Sequence, residues 1–491
     1  MNALKQLLKK SSKSESFSKI FHAEANQYFE QKKYFDALHS YNKSLCHAKP
    51  NSVDLVNAYT GRSAVYFEMK RYADSLENIR LARIQTVFVE NANLDERESC
   101  CNEYLKGENF NNAGEKLSLS YAAHSRVPFL ANCLELNEDV KFGRYIKTNR
   151  DLRPGDVVAI EEPLLKFIGV KARHIHRYQR CYNCFKSNHL NLLPGPHSVM
   201  SCSQACHDLS AEKNLDFDEL IETELDWKVV KMIRIKDNSL EVTGGLDKLQ
   251  ELYYGGTKTL FDFDLSHLHE GELQNALLKC SISLIGGTNG KTDSKLDVFK
   301  LMIGAYDERY RDFLVQYVGY MMNVCRKTQF SLNMFDEQLG QFEKIGNCLL
   351  PFGGLLNHSC DPNVFWVSAH EKFVFIVAKP IRAGEQLFIC YRKTFLEEPL
   401  ASRQKALLEQ YGFKCDCPAC KLNYQPKINA SMVNGLQMEY IRDHKAHSIR
   451  AEVMKNWNEL ESCFDKHTPH ETAEIIVKNK FLLEFMNSKF M

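Results

Sequence analysis

The sequence predicts an α+β protein of several domains: a helical N-terminal region, a β domain interrupted by a cysteine-rich insert and a helical stretch, and a short helical C-terminus. Three observations carry this. The segment YFEQKKYFDAL at residues 28–38 returns as YFEMKRYADSL at residues 66–76, with seven of eleven positions identical. Alternating apolar and polar residues run through FGRYIKTNRDLRPGDVVAIEEPLLKFI, from Phe142, and through KFVFIVAKPIRAGEQLFICY, from Lys372, the period of half-buried strands. Of 17 cysteines, seven gather in two short clusters.

At 491 residues the chain has length for two to four domains with their own cores. Residues 1–16, rich in Lys and Ser, read as a disordered leader. The duplicated segment then opens a helical region over 17–125. Its offset of 38 slightly exceeds the roughly 34-residue tetratricopeptide unit, and the excess falls at Pro50-Asn51-Ser52. An eroded third copy places Tyr104, Phe110, Ala113 and Leu117 in step with the second. Such repeats are binding surfaces rather than catalysts.

Strands follow over 136–177, with an Arg-Pro-Gly-Asp turn. Residues 178–212 hold Cys181-x2-Cys184 and, after seventeen residues, Cys202-x3-Cys206. Two short-spaced thiol pairs across a loop can place four sulfurs about one zinc ion. Residues 213–340 read as a helical insert and 341–395 as the return of the β domain. Within 396–424, CDCPAC supplies Cys415, Cys417 and Cys420, one ligand short of a closed zinc site. An unexplained thiol stands at Cys360, inside LLNHSCDPN. Residues 425–491 read as helical.

Lys and Arg total 63 against 62 Asp and Glu, a net charge of +1, so no global field draws in nucleic acid or an anionic membrane. No apolar stretch has the length of a signal peptide or a membrane span. The chain is expected to be soluble and intracellular, without direct nucleic-acid binding.

In this order, GRYIKTNRDLRPGD, the interposed cysteine pairs, LLNHSCDPN, GEQLFICY and YGFKCDCPAC resemble the SET and MYND domain (SMYD) protein lysine methyltransferases, in the branch with N-terminal tetratricopeptides. The resemblance covers roughly residues 28–420. It implies a SET β-fold split by a MYND-type zinc finger, with S-adenosylmethionine and the target lysine entering from opposite faces. It implies Tyr391 as the catalytic tyrosine, Tyr411 as a wall of the lysine channel, and Phe413 as the residue packed on the adenine. Gly143, Arg144, Tyr145, Asn357 and His358 complete the cofactor set, together with Tyr391 and Phe413. Cys360 joins Cys415, Cys417 and Cys420 in a post-SET zinc site.

The pattern departs from the family in three places. Gly195 and Ser198 stand where the middle cysteine pair of a MYND finger would be, so 178–212 reads as a half finger. One zinc sits on Cys181, Cys184, Cys202 and Cys206, and two zinc ions bind per chain; His189, His197 and His207 are the only substitutes for a second finger ion. Tyr145 replaces a glycine. Between Cys325 and Phe330, where an asparagine commonly holds the cofactor, Thr328 or Arg326 occupies the place. The expected function is methyl transfer to a protein lysine, with partner proteins taken up by the repeats and the half finger, by a monomer in cytoplasm and nucleus. The alternative is a catalytically silent adaptor.

Overall fold

The computed structural model describes residues 14–85, 92–107, 118–168, 176–182, 191–195, 199–212, 245–254, 259–281, 284, 308–336, 341–369, 372–426 and 446–490. The chain divides into two compact units, Met1–Asn112 with Gly169–Trp227, and Ala113–Ile168 with Lys228–Met491. Among the described residues no helix is long and apolar enough to cross a membrane.

The first unit begins with five helices: α1 (Glu15–Glu30), α2 (Tyr34–His47), α3 (Val53–Glu68), α4 (Tyr72–Arg83) and α5 (Ala92–Gly107). The sequence duplication is a duplication of turns. Lys32 and Lys70, 38 positions apart, both adopt left-handed backbone (φ 58° and 59°), a conformation disfavoured for a residue with a Cβ. In each case the next amide reaches back to the helix it leaves, Lys33 N to Tyr28 O (2.9 Å) and Arg71 N to Tyr66 O (2.8 Å). These bonds satisfy carbonyls that the helix end would orphan. Ala25, Ala37, Leu38, Tyr41, Val65 and Tyr66 bury the apolar face. Gly61 is required there, since a Cβ would stand 2.4 Å from the Tyr41 ring. Tyr104 of the third copy stacks on Tyr72 at 4.6 Å; Phe110, Ala113 and Leu117 lie outside the described residues, as do residues 1–13 of the leader.

The cysteine-rich insert belongs to this unit. The hairpin β5 (Leu193–Pro194) and β6 (Met200–Ser201) is followed by α6 (Gln204–Glu212). A polar network seats it on the helices. Fully buried Arg62 donates to Asn78 Oδ1 (2.6 Å), Asn42 Oδ1 (2.6 Å) and Leu192 O (2.7 Å). Asn42 donates to Tyr178 O (2.8 Å), and Asn191 to Asp74 Oδ1 (2.8 Å).

In the second unit, the antiparallel pair β1 (Leu134–Asp139) and β2 (Gly143–Thr148) precedes β3 (Val157–Glu161) and β4 (Leu165–Ile168). The helices α7 (Leu246–Tyr254), α8 (Glu270–Ser281) and α9 (Glu308–Thr328) lead to β7 (Gln329–Asp336) and β8 (Gln341–Leu349). Then come β9 (Asn357–His358), β10 (Val364–Ala369), β11 (Lys372–Val377) and β12 (Phe388–Ile389), and finally α10 (Leu400–Tyr411), α11 (Ala446–Cys463) and α12 (Pro469–Phe490). Besides the β1-β2 pair, the described strands of this unit form three small sheets: β10-β11-β3, β4-β8-β7 and the parallel pair β12-β9. One face of the first sheet buries Phe365, Val367, Val374 and Ile376 against Val453, Trp457 and Leu460 of α11 and Ile476 and Leu482 of α12. Behind it, Phe375 meets Phe330 and Phe352 at 6.0 and 5.3 Å.

Two expected boundaries move. The repeats do not extend to residue 125, because Ser120 N and Ala131 N bond to Val157 O and Val158 O (3.0 and 2.8 Å) and so attach 118–131 to the β3 sheet. The helical insert does not extend to residue 340, because β7 begins at Gln329, where alternation buries Phe330 and Leu332 against β8.

Candidate active site and thiol clusters

Within the second unit a cavity of about 680 Å³ is lined by Gly143 and Arg144 of β2, Thr328 at the end of α9, Asn357, Tyr391 and Phe413, among others. Each element arrives for a physical reason. The turn of Gly353–Leu355 runs close beneath aromatic rings, and a Cβ on Gly353 would stand 2.7 Å from Phe330. Asn357 opens β9 and donates to Arg144 O (3.0 Å) and Phe142 O (3.4 Å), tying that strand to the β1–β2 hairpin. Asn363, the last residue of the NHSCDPN run, grips the other side: its Oδ1 accepts Phe388 N (2.7 Å) and its Nδ2 donates to Gln386 O (2.9 Å). The parallel pairing of Asn357 with Phe388 and of His358 with Ile389 then delivers Tyr391 beside Asn357.

Tyr391 is half-buried, and its hydroxyl donates to Leu356 O (2.8 Å). Tyr411 and Phe413 surround it with ring centroids at 4.9 and 6.4 Å. Burial holds the Tyr391 phenol above its ordinary range and pushes that of Tyr411 up to about 12. Both hydroxyls are therefore neutral hydrogen-bonding groups at physiological pH. They can orient a polar atom but not act as strong bases.

Of the cofactor set expected from the sequence, Gly143, Arg144, Asn357, Tyr391 and Phe413 line this cavity, and Tyr411 lines it too. Tyr145 and His358 are not among its described lining residues. Alternation along β2 puts Tyr145 on the face opposite Arg144, where its ring meets Phe142 edge-on at 6.4 Å. The ring of His358 is used elsewhere. Its Nδ1 accepts the Tyr391 N–H (3.0 Å), so Nε2 carries the proton and faces Cys360 Sγ at 3.3 Å. Burial lowers the His358 pKa to about 4, which keeps the ring neutral. Between the two candidates for the missing asparagine, Thr328 rather than Arg326 lines the cavity. Its hydroxyl donates to Val324 O (2.7 Å).

The sulfurs of Cys360, Cys415, Cys417 and Cys420 lie within 4.8 Å of one another, Cys420 and Cys360 at 3.5 Å. Tetrahedral zinc with Zn–S bonds near 2.3 Å separates its sulfurs by about 3.8 Å, so this donor set fits such an ion. Hydrogen bonds from the Cys360 and Cys415 thiols lower the pKa of Cys417, while those of the two thiols themselves are raised. The buried guanidinium of Arg403 approaches Cys420 Sγ at 4.0 Å. In the first unit Cys181, Cys202 and Cys206 form a second group, with Cys202 and Cys206 sulfurs 3.6 Å apart. Cys184, His189, His197 and Ser198 lie outside the described residues. Gly195 closes the β5–β6 hairpin through its amide bond to Val199 O (2.7 Å), and His207 Nδ1 lies 3.3 Å from Asp208 on the surface side of α6.

Sequence reasoning missed Asn363 and the C-terminal helix, whose Ile476, Val477 and Lys480 also line the cavity. It missed Glu161, fully buried beneath the Gly353 turn. Asn363 was within reach, as the conspicuous polar end of the NHSCDPN run; Glu161 carried no local signal.

Comparison with known proteins places the chain. The family model for the SET domain matches residues 143–392. Over 295 residues the chain is 24% identical to an Arabidopsis thaliana protein named histone-lysine N-methyltransferase ASHR1, covering 59% of this chain and 55% of that protein. It is 37% identical over 89 residues to the Mus musculus histone-lysine N-methyltransferase SMYD3, covering 18% and 20%. It is 21% identical over 517 residues to the Danio rerio protein-lysine N-methyltransferase SMYD4, covering 86% and 68%. The chain thus spans about half the length of the first of these relatives and a fifth of the second. A solved SET domain, that of LSMT bound to lysine and AdoHcy, aligns over 73% of this chain and 86% of its own at 12% identity and a TM-score of 0.27.

Proposed function

From the premise that this chain belongs to the SET-domain family, we propose that it is an S-adenosylmethionine-dependent protein lysine N-methyltransferase. The observation that carries this reading is the convergence of the Tyr391 hydroxyl, Asn357 and the rings of Tyr411 and Phe413 on one cavity. When bound, S-adenosylmethionine supplies an electrophilic methyl group on a sulfonium. Gly143, Arg144, Asn357 and Phe413 hold it. Tyr391, whose proton is given to Leu356 O, keeps lone pairs free to accept from an incoming amine and orient it. The aromatic wall at Tyr411 helps disfavour the ammonium form of a lysine, whose free pKa is near 10.4, so the nucleophile reacts neutral. Most of the acceleration then comes from positioning and a dry site.

Two zinc ions complete the chain, one on Cys360, Cys415, Cys417 and Cys420 and one on Cys181, Cys184, Cys202 and Cys206. The substrate is a protein lysine; the tetratricopeptide-like helices and the half MYND finger engage protein partners, and the enzyme works as a monomer in cytoplasm and nucleus. A silent adaptor is the second reading. It is favoured by Thr328, which offers a hydroxyl already bonded to Val324 O in place of an asparagine amide. The deciding experiment is a calorimetric isotherm for S-adenosylmethionine, together with labelled methyl incorporation into a protein library. Saturable binding with incorporation is the expected result. No binding at millimolar cofactor would move the chain to the adaptor.

A further inference from the structure

Glu161 ends β3 with 1% of its surface exposed. One carboxyl oxygen accepts Phe352 N (2.6 Å) and the other accepts Gly353 N (3.0 Å). On the opposite side, the rings of Phe330 and Phe375 leave no room for a Cβ at Gly353, the nearest carbons being 2.7 and 2.9 Å away. The turn is therefore clamped between a carboxyl group and an aromatic cluster. Gly353, Gly354 and Leu355 of this turn, and Asn357 just after it, line the cavity.

The two amide bonds bear on the state of the clamp. Each oxygen accepts an N–H, and a carboxylate accepts more strongly than the protonated acid, so the two-handed grip is strongest in the ionised group. Burial acts against ionisation and pushes the carboxyl up to about 8, with the two amides opposing it. No ion pair to Glu161 is present among the described residues. A buried charge without a partner is held at a disadvantage, which a positive charge entering the adjoining cavity would relieve through a poorly screened interior.

We infer that Glu161 is a positioning residue for the cavity turn, and that a cationic nucleoside occupant, which stabilises the Glu161 carboxylate and so tightens its grip on the turn, is preferred to a neutral one, which does not. The inference rests on the methyltransferase reading: S-adenosylmethionine bears a sulfonium, whereas its demethylated product, S-adenosylhomocysteine, is a neutral thioether. Glu161 thereby favours loaded cofactor over spent product at the same site.

The test is calorimetric titration of the full-length, zinc-loaded protein with each nucleoside, on wild type and on Glu161→Gln. Because the glutamine amide is neutral and of the same shape as the carboxylate, E161Q should weaken both ligands through the loosened turn and weaken S-adenosylmethionine about tenfold more. Equal weakening of both, or no change, would reduce Glu161 to a structural residue and overturn the inference. Wild type carries a second arm that does not depend on the variant folding. S-adenosylmethionine and sinefungin, which bears an ammonium in place of the sulfonium, should each bind about tenfold tighter than the thioether. A thioether that binds as tightly as both cations overturns the inference while leaving the cofactor reading intact. Wild type that binds none of the three overturns the cofactor reading and this inference with it.

Discussion

The two thiol clusters have the same chemistry and different seats. Cys360 and Cys420 are 60 residues apart, and their cluster is buried among Phe395, Leu396 and Leu407. The His358 ring stands between Cys360 and the backbone of Tyr391. Cys181, Cys202 and Cys206 come from one short insert, and that insert is held from outside by Arg62, Asn42 and Asp74 on the helices. A metal in the second unit would staple distant segments beside Tyr391. One in the first unit would finish an insert that protein hydrogen bonds already seat. Thiol clusters of like chemistry can therefore differ in what depends on them.

The sharpest way to break this contrast is at the ligands. Cys360→Ser should lower zinc from two to one per chain by elemental analysis and abolish cofactor binding, since a structural zinc is worth ~10 kcal/mol or more of folding energy. Cys181→Ser should remove the other ion and leave cofactor affinity within about twofold. Comparable loss of cofactor binding in both variants would erase the distinction. At the seat of the insert, Arg62→Met strips the fully buried network of its donor and leaves Asn42, Asn78 and Leu192 O short of partners. A cost of about 3–5 kcal/mol to the first unit is expected, read as a lowered melting transition with unchanged methyl transfer per folded chain. Tyr391→Phe should keep the fold, both metals and cofactor affinity while methyl incorporation falls ~100-fold, about 2.7 kcal/mol. Incorporation equal to wild type would remove Tyr391 from its role.

The smallest effect is a pH dependence confined to the first unit. His39, on α2, is half-buried beside the Tyr178 ring, and desolvation lowers its pKa from 6.5 to about 4. It is thus neutral in the folded state while the unfolded chain still binds a proton. Its contribution is fully present above pH ~6.5 and is lost as pH falls toward 4, by about 1–3 kcal/mol. Melting temperature against pH should show this slope, and His39→Gln should flatten it in the first unit.

Much of the site is legible in the residues alone. Clustered Cys415, Cys417 and Cys420 ask for a fourth thiol, and the chain offers Cys360 inside a dense polar run; Tyr391 stands at the end of an alternating strand. These signals are local, because spacing constrains metal ligands and alternation constrains strands. What stays hidden depends on distant partners. Glu161 sits in AIEEP like any acidic strand end, and only the approach of Phe352, 191 positions away, makes it a clamp. Arg62 looks like a solvated helix residue until Leu192 O, 130 positions on, closes over it. His358 reads as a cofactor contact because its neighbours do; its ring is claimed by Tyr391 N and Cys360.

The interleaving of the two units bears on how the protein is made. The first unit needs residues on both sides of Ala113–Ile168, which belong to the second. On the ribosome its helices emerge first, yet the insert they hold arrives only after a part of the other unit has been synthesised. The nascent chain then carries that part, β1 to β4, unpaired with β8 and β11 until those strands follow. Cys360 emerges 60 residues ahead of Cys420, an interval of several seconds at about 5–20 residues per second. For that interval Cys360 waits without the other three thiols of its cluster, which makes it the part of the candidate site most in need of chaperone cover.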